Sequence, residues 1–276
     1  MSSPGPPPRK ALGQHFLIDP NIVRKILEAA DVQREETVLE IGPGLGVLTR
    51  PLCEAAKRVI AVEIDDRLVT HLHETLHDCP NLDLRHADAL DLHGDDLPEG
   101  TVVVANLPYY ISSPLLFMLL EQHRRWDRMI VMLQREVACR LVAAPGSRDY
   151  GILSVLARYR AESSLAFHVS SNCFRPRPDV GSTAVKVVSR KRPAAAVADE
   201  GILVRVVRAA FAHRRKTLLN SLRDEGFTRE IVAGLQEAGI DPSRRAETLA
   251  LEDFARLANV LKQHDPFMSG HSRDAN

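Results

Sequence analysis

From residue 9 onward, apolar and polar positions along the chain follow two rhythms. In "DPNIVRKILEAA", Ile22, Val23, Ile26 and Leu27 recur at helical spacing behind Asp19 and Pro20. That pattern predicts a helix with an aspartate N-cap and proline at its first position. Short apolar runs follow, "TVLEI", "RVIAVEI", "NLDLRHA", "TVVVANL" and "RMIVML", separated by helical stretches such as "DDRLVTHLHETL" and "SPLLFMLLEQH". Strand and helix in regular succession predict a parallel sheet covered by helices. Two later runs, "SSLAFHVS" and "STAVKVVS", flank the proline-rich "NCFRPRPDVG" with no room for a crossover helix. They predict an antiparallel pair at the sheet edge, which brings the strands to seven.

After "RKRPAAAVADE" the pattern turns helical throughout, in "ILVRVVRAAFAHRRKTLLNSL", "TREIVAGLQEAG" and "LEDFARLANVLKQH". The expected organisation is a disordered N-terminus (1–8), an α/β domain (9–190), a helical domain (191–265) and a disordered tail (266–276), without internal repeats. The 276 residues are 45% hydrophobic, enough for one substantial core and a smaller second one. No segment approaches the roughly 20 uninterrupted apolar residues of a membrane helix, and the start lacks the apolar stretch of a signal peptide. A cytoplasmic protein is expected. Cys53, Cys79, Cys139 and Cys173 never fall as C-x-x-C, so neither a metal site nor a disulfide framework is expected. Lys plus Arg and Asp plus Glu both number 36, so a polyanion would have to be held by a local patch. No heptad or exposed apolar stripe asks for a dimer, and a monomer is expected.

The chemistry gathers at strand ends. "LEIGPGLGVLT" runs from a strand through Gly42, Gly44 and Gly46 into a helix, which lets the backbone approach a ligand closely. The spacing falls one residue short of the dinucleotide fingerprint G-x-G-x-x-G, and a tight turn alone would look the same. Glu63 ends the next strand, placed to accept hydrogen bonds from ribose hydroxyls or to serve as an acid at a helix start, where Asp65 and Asp66 also stand as caps. Asp88 follows the third strand, where a carboxylate meets an adenine amine or ends a turn. Backbone, acid and acid at three successive strand ends suit a nucleoside cofactor.

"ANLPYYISSPLL" adds a different chemistry. The adenine amino group is a poor nucleophile because its lone pair is delocalised into the ring. The side-chain oxygen of Asn106 and a backbone carbonyl such as that of Pro108 can accept its two N–H groups and favour a pyramidal nitrogen. Attack on a sulfonium methyl then needs chiefly positioning and electrostatics, with no strong base. Tyr109 is placed to stack on the base, worth roughly 1–3 kcal/mol. Against this stands the plainer reading of a capping Asn106 and half-buried tyrosines, which applies most directly to Tyr110.

"ALGQHFL", "EIGPGLGVLT", "AVEID", "ADAL", "NLPYYISSPLL", "MLQREVACRLVAAPGSRDYGILSV", "FRPRPDVGSTAV", "AFAHRRKTLLNSL" and "IDPSRRAETL" stand in the order found in the small-subunit (16S) ribosomal RNA adenine N6-dimethyltransferases, the KsgA/RsmA family, which residues 9–263 resemble. The resemblance implies a Rossmann-like, S-adenosylmethionine-dependent methyltransferase fold over 9–190 and a small all-helical RNA-binding domain over 191–265. It implies N6,N6-dimethylation of two adjacent adenosines in the 3′-terminal hairpin loop of small-subunit rRNA, within an immature small ribosomal subunit. Carried over by position, the cofactor contacts fall on His15, Leu17, Gly42, Glu63, Asp88 and Asn106, beside Gly44 in the same turn. Phe174 matches an aromatic that the family presents to the flipped base. His15 and Tyr110 stand where the family commonly has Asn, and Gly181 where an acid is frequent.

In 205–216, "RVVRAAFAHRRK", Arg205, Arg208, Arg214, Arg215 and Lys216 occur with no acid between them; Arg175 and Arg177 flank Pro176, and Arg9 and Lys10 precede the first motif. These are candidate phosphate contacts, though a charge run is more often a solvated face. Competing readings are an antibiotic-resistance type of rRNA adenine methyltransferase, a DNA adenine methyltransferase, an assembly factor whose methylation is secondary, and a nicotinamide dehydrogenase, the last disfavoured by the glycine spacing.

Overall fold

The computed structural model describes residues 5–9, 12–227 and 231–264. The expected tail 266–276, Lys10 and the first four residues lie outside them. The elements in chain order are β1 (Phe16–Leu17), α1 (Pro20–Ala30), β2 (Thr37–Ile41), α2 (Thr49–Ala55), β3 (Arg58–Glu63), α3 (Asp66–Thr75), β4 (Leu82–His86), β5 (Thr101–Asn106), α4 (Ser112–Glu121), β6 (Trp126–Gln134), α5 (Arg135–Val142), α6 (Ile152–Arg160), β7 (Ala161–Val169), β8 (Phe174–Arg175), β9 (Ser182–Ser189), α7 (Glu200–Phe211), α8 (Leu218–Asp224), α9 (Ile231–Glu237) and α10 (Leu251–His264).

The chain divides into two compact units. The first comprises the chain up to Cys139 together with 161–191. Its seven strands lie in the order β4-β3-β2-β5-β6-β9-β7. The pairs from β4 to β6 are parallel, while β9 runs antiparallel to both β6 and β7. The sheet is therefore parallel with an antiparallel edge pair, as the alternation predicts. Strands β2 and β5 are buried over all but one residue each, as expected of central parallel strands. Asp19 caps α1 by accepting the Asn21 N–H at 2.9 Å, and Asp65 caps α3 through the Arg67 N–H at 3.2 Å. The chain leaves β2 for β3 on one side and returns to β5 on the other. This reversal of strand order opens a crevice at the carboxyl ends of β2 and β5.

One pairing has no counterpart in the sequence pattern. β1 and β8 form a two-residue antiparallel ladder, Leu17 opposite Phe174, which ties the segment before α1 to the "FRPRP" segment.

The second unit comprises 140–160 and the chain from Arg192. The sequence division at 190 assigns 140–160 to the α/β part instead. Tyr150, Val155 and Tyr159 are buried in one cluster with Val206, Leu222, Phe254 and Leu257, so α6 contributes its apolar face to the helical core. The amphipathic stretch from Ile202 spans two helices, α7 and α8. Residues 212–217 break it, and Thr217 starts the second helix by accepting the Asn220 N–H. Among the described residues no helix is long and apolar enough to cross a membrane.

Candidate active site

The crevice at the β2 and β5 ends is a cavity of about 750 Å³, solvent at its mouth included, floored by the glycine turn and roofed by residues 12–17. Gly42 and Gly44 have φ of 68° and 60°, a region that side chains disfavour. A Cβ on Gly44 would stand 3.2 Å from the Phe16 ring, so the turn and the roof approach as closely as glycine allows.

Glu63 is 5% exposed and turns its carboxylate back on the backbone. Oε1 accepts the N–H groups of Ile64 and Asp65, both at 3.0 Å, and Oε2 accepts that of Gly44 at 3.2 Å. One lone pair of Oε2 is left for a ligand hydroxyl. Burial raises its pKa against those three bonds. Glu63 thus braces the glycine turn while lining the cavity, so both roles open to it in the sequence are combined. Asp88 serves as an N-cap, Oδ1 accepting the Leu90 N–H at 2.9 Å. It stands near Tyr110, whose pKa is raised by burial and, beyond that, by the charges of Asp88 and Glu63.

Glu40, which the strand-end pattern does not point to, also lines the cavity. It is 1% exposed, and its Oε2 has no hydrogen-bond partner. Burial pushes its carboxyl up to about 8, the Thr49 hydroxyl close by acting in the opposite direction and the charge of Glu63 adding to the rise. The signal was present in "TVLEI": a carboxylate inside an otherwise apolar central strand is costly unless something pairs with it.

Asn106, Leu107, Pro108, Tyr109 and Tyr110 all line the cavity. The Asn106 Nδ2 donates to the His15 carbonyl at 3.2 Å, which fixes the amide plane. Among the described residues no donor reaches its Oδ1, which is left to accept. The Pro108 carbonyl already accepts the Ile111 N–H at 3.2 Å and retains one lone pair, whereas no backbone N–H among the described residues reaches the Leu107 carbonyl. The Tyr109 ring is half-buried, 5.3 Å from the His15 ring at 31°, with its hydroxyl 2.5 Å from Ser182 Oγ. Burial raises its pKa, so it remains a neutral phenol. His15 Nδ1 in turn lies 2.7 Å from the Pro176 carbonyl, so one residue touches Asn106, Tyr109 and the "FRPRP" segment.

Other expected residues lie elsewhere. Phe174 does not line the cavity: 2% exposed, it packs in the core with Leu17, Ile22 and Val169. Phe174 stands in β8, opposite Leu17 of β1. Leu17 is itself 3% exposed and meets the cavity from that core. Arg9 is held by Asp65 at 3.1 Å and Asp66 at 3.2 Å. Asp65, which also takes Gln14 and Arg67, is fully buried. Its burial would raise the pKa, but the bonds from Arg67 and Gln14 outweigh that and hold it well below the usual range. Arg175 and Arg177 are exposed, and Arg177 donates to Ser171 Oγ at 3.0 Å. In the helical unit Arg205, Arg208, Arg214 and Arg215 are exposed. Arg205 lies over the Phe227 ring, and Arg214 donates to the Arg148 carbonyl. Lys216 is paired with Asp224, so the acid-free run in sequence is not acid-free in space.

A profile of ribosomal RNA adenine dimethylases matches residues 7–263. The chain belongs to the ribosomal RNA adenine dimethylase family. It is 47% identical over 267 residues to the ribosomal RNA small subunit methyltransferase A of Moorella thermoacetica, covering 92% of this chain and 93% of that protein. The Enterococcus faecalis protein of the same name is 44% identical over 273 residues, with 94% and 92% covered. Among solved structures, a dimethyladenosine transferase from Plasmodium falciparum superposes with a TM-score of 0.74 at 27% identity, covering 88% of this chain and 96% of that one. The 23S rRNA methyltransferase ErmE gives 0.67 at 29%, covering 90% and 100%. This is an S-adenosylmethionine-dependent rRNA adenine methyltransferase.

The site fits that cofactor. A buried carboxyl with an orphan oxygen calls for a cationic or donor group, and the cofactor carries an ammonium and a sulfonium. Glu40, the Gly42–Gly44 backbone and Glu63, which line the cavity, would hold it beneath residues 12–17, whereas Asp88 is not among the lining residues.

Proposed function

We propose that the protein dimethylates N6 of two adjacent adenosines in the 3′-terminal hairpin loop of small-subunit rRNA, acting in the cytoplasm as a monomer on immature small subunits. The observation that carries this reading is the state of Asn106, which lines the cavity: its Nδ2 is committed to the His15 carbonyl, and among the described residues no donor reaches its Oδ1. When bound, S-adenosylmethionine supplies an electrophilic methyl group. The Asn106 Oδ1 and a backbone carbonyl of Leu107 or Pro108 accept the two N6 hydrogens, which holds the amine's lone pair toward the reaction centre. Tyr109, neutral and braced by His15, offers its ring to the base. Single-stranded loop adenosines can splay into such a pocket, where paired ones cannot. Arg175, Arg177, Arg205, Arg208, Arg214, Arg215 and Lys216 supply phosphate contacts, and Phe174 supports the roof from the core.

The resemblance to ErmE favours a second reading, in which large-subunit RNA is the substrate. One experiment decides: methyl transfer from labelled S-adenosylmethionine to immature small subunits lacking the modification, with nucleoside mass spectrometry after digestion. N6,N6-dimethyladenosine at two adjacent loop positions, lost in Asn106→Ala, is the expected result. Label on large-subunit RNA alone overturns the substrate.

A further inference from the structure

Tyr109 is set in a one-turn element, Tyr109–Ile111, between β5 and α4, a short and weakly constrained place for a side chain that must present one face to a base. Its hydroxyl does not point to solvent. It meets Ser182 Oγ at 2.5 Å, across 73 residues of sequence. Ser182 is 2% exposed and opens β9, with Gln134 of β6 and Val169 of β7 as its partners on the two sides. The tether therefore starts from a strand paired on both flanks, two strands away from β5 in the sheet.

We propose that Ser182 is a positioning residue for methyl transfer: its buried hydroxyl fixes the tilt of the Tyr109 ring, so that the face opposite His15 is ready for the adenine before RNA arrives. The assignment rests on the reading of Tyr109 as the residue that stacks on the base. His15 closes one face at a 5.3 Å centroid distance, and Ser182 holds the far end of the ring. With both restraints the ring cannot swing about its Cβ. With Ser182 gone it pivots against His15 alone, and a misplacement of this kind costs turnover rather than cofactor binding. The hydroxyl pair also satisfies itself, since either partner left alone would be a covered polar group without a bond. Loss of either is therefore nearly the whole loss.

The test measures single-turnover methyl transfer at saturating RNA, the KM for RNA and the cofactor affinity for the full-length wild type, Ser182→Ala, Tyr109→Phe, their double variant and Tyr109→Ala. The expected result is transfer slowed about tenfold in each hydroxyl deletion and no further in the double, with cofactor affinity within about twofold, and a larger loss in Tyr109→Ala. Wild-type turnover in Ser182→Ala, or losses that multiply in the double variant, overturns the proposal. Should Ser182→Ala fold poorly, Tyr109→Phe decides by itself, because it alters a half-buried ring in a turn, and undiminished turnover there is fatal to the tether. An active Tyr109→Ala would sink the stacking reading itself, while an inactive Tyr109→Ala beside a fully active Ser182→Ala would sink only the role of Ser182.

Discussion

The carboxyl edge around Asn106 and the basic segment 205–216 both stood out in the sequence, yet they are built in opposite ways. At the edge, Asn106 and Tyr109 are oriented by partners far along the chain, His15 and Ser182, and Glu63 also reaches across to Gly44. In 205–216 the exposed guanidinium groups stand on a helix and the turn after it, and the one lysine is drawn to Asp224. The first arrangement fixes directions, which a reaction at one atom requires. The second supplies several exposed charges at once, which suffices for a phosphate backbone that can be met at many angles. Catalytic residues here are therefore sensitive to single atoms, and the basic residues to ionic strength.

The largest effect expected is structural. Phe174→Ala removes a fully buried ring from beneath β1 and should cost about 3–5 kcal/mol of stability, read by denaturant unfolding. Phe174→Leu should recover most of that and retain methyl transfer; a selective loss of transfer in a stable Phe174→Leu protein would return the ring to the base pocket. Next comes Asn106→Ala, expected to lower turnover about 10²–10³-fold, with a far smaller change in cofactor affinity measured by calorimetry. Equal losses in both would make Asn106 a cofactor ligand instead of the acceptor for the amine.

The architecture could be read from the sequence because period-2 and period-3.6 patterns are local and the strand ends fall beside glycine, acid and asparagine. What could not be read depends on distant pairing. The β1–β8 ladder is two residues long and joins segments far apart in the chain, so no periodicity announces it, and without it Phe174 looks like an exposed aromatic before a proline. The partnership of α6 with the C-terminal helices is similarly invisible, because an amphipathic helix does not say which core it faces. Glu40 is legible in "TVLEI", where it is the one charge in an apolar strand, but the period-2 pattern alone does not say what that charge meets.

Glu40 gives the next largest effect. Its folded pKa, raised from 4.5 to about 8, means that the native state holds a proton that the unfolded chain releases. Cofactor-free protein should then lose on the order of a few kcal/mol as pH rises from about 4.5 to about 8, and no more from this group beyond that. In Glu40→Gln that part of the slope should vanish, leaving the variant the more stable form at pH 8. Parallel pH profiles of thermal unfolding for the two proteins would refute the buried, protonated carboxyl.

The smallest effects belong to the basic segment, and they bear on its contrast with the site. Each exposed arginine that contacts a phosphate releases counterions on binding, so neutralising it should weaken RNA affinity modestly and lower the slope of log affinity against log salt by about 0.7–0.9. Arg215→Gln should show this, with turnover at saturating RNA unchanged. Lys216→Gln should show less, since Asp224 already offsets its charge. Asp224→Asn frees Lys216 and relieves His213 of one of its two acidic neighbours, so it should tighten RNA binding and steepen the salt slope. If Lys216→Gln instead equals Arg215→Gln and Asp224→Asn changes nothing, the pair with Asp224 opens at no cost, and 205–216 acts as the single basic run that its sequence suggests.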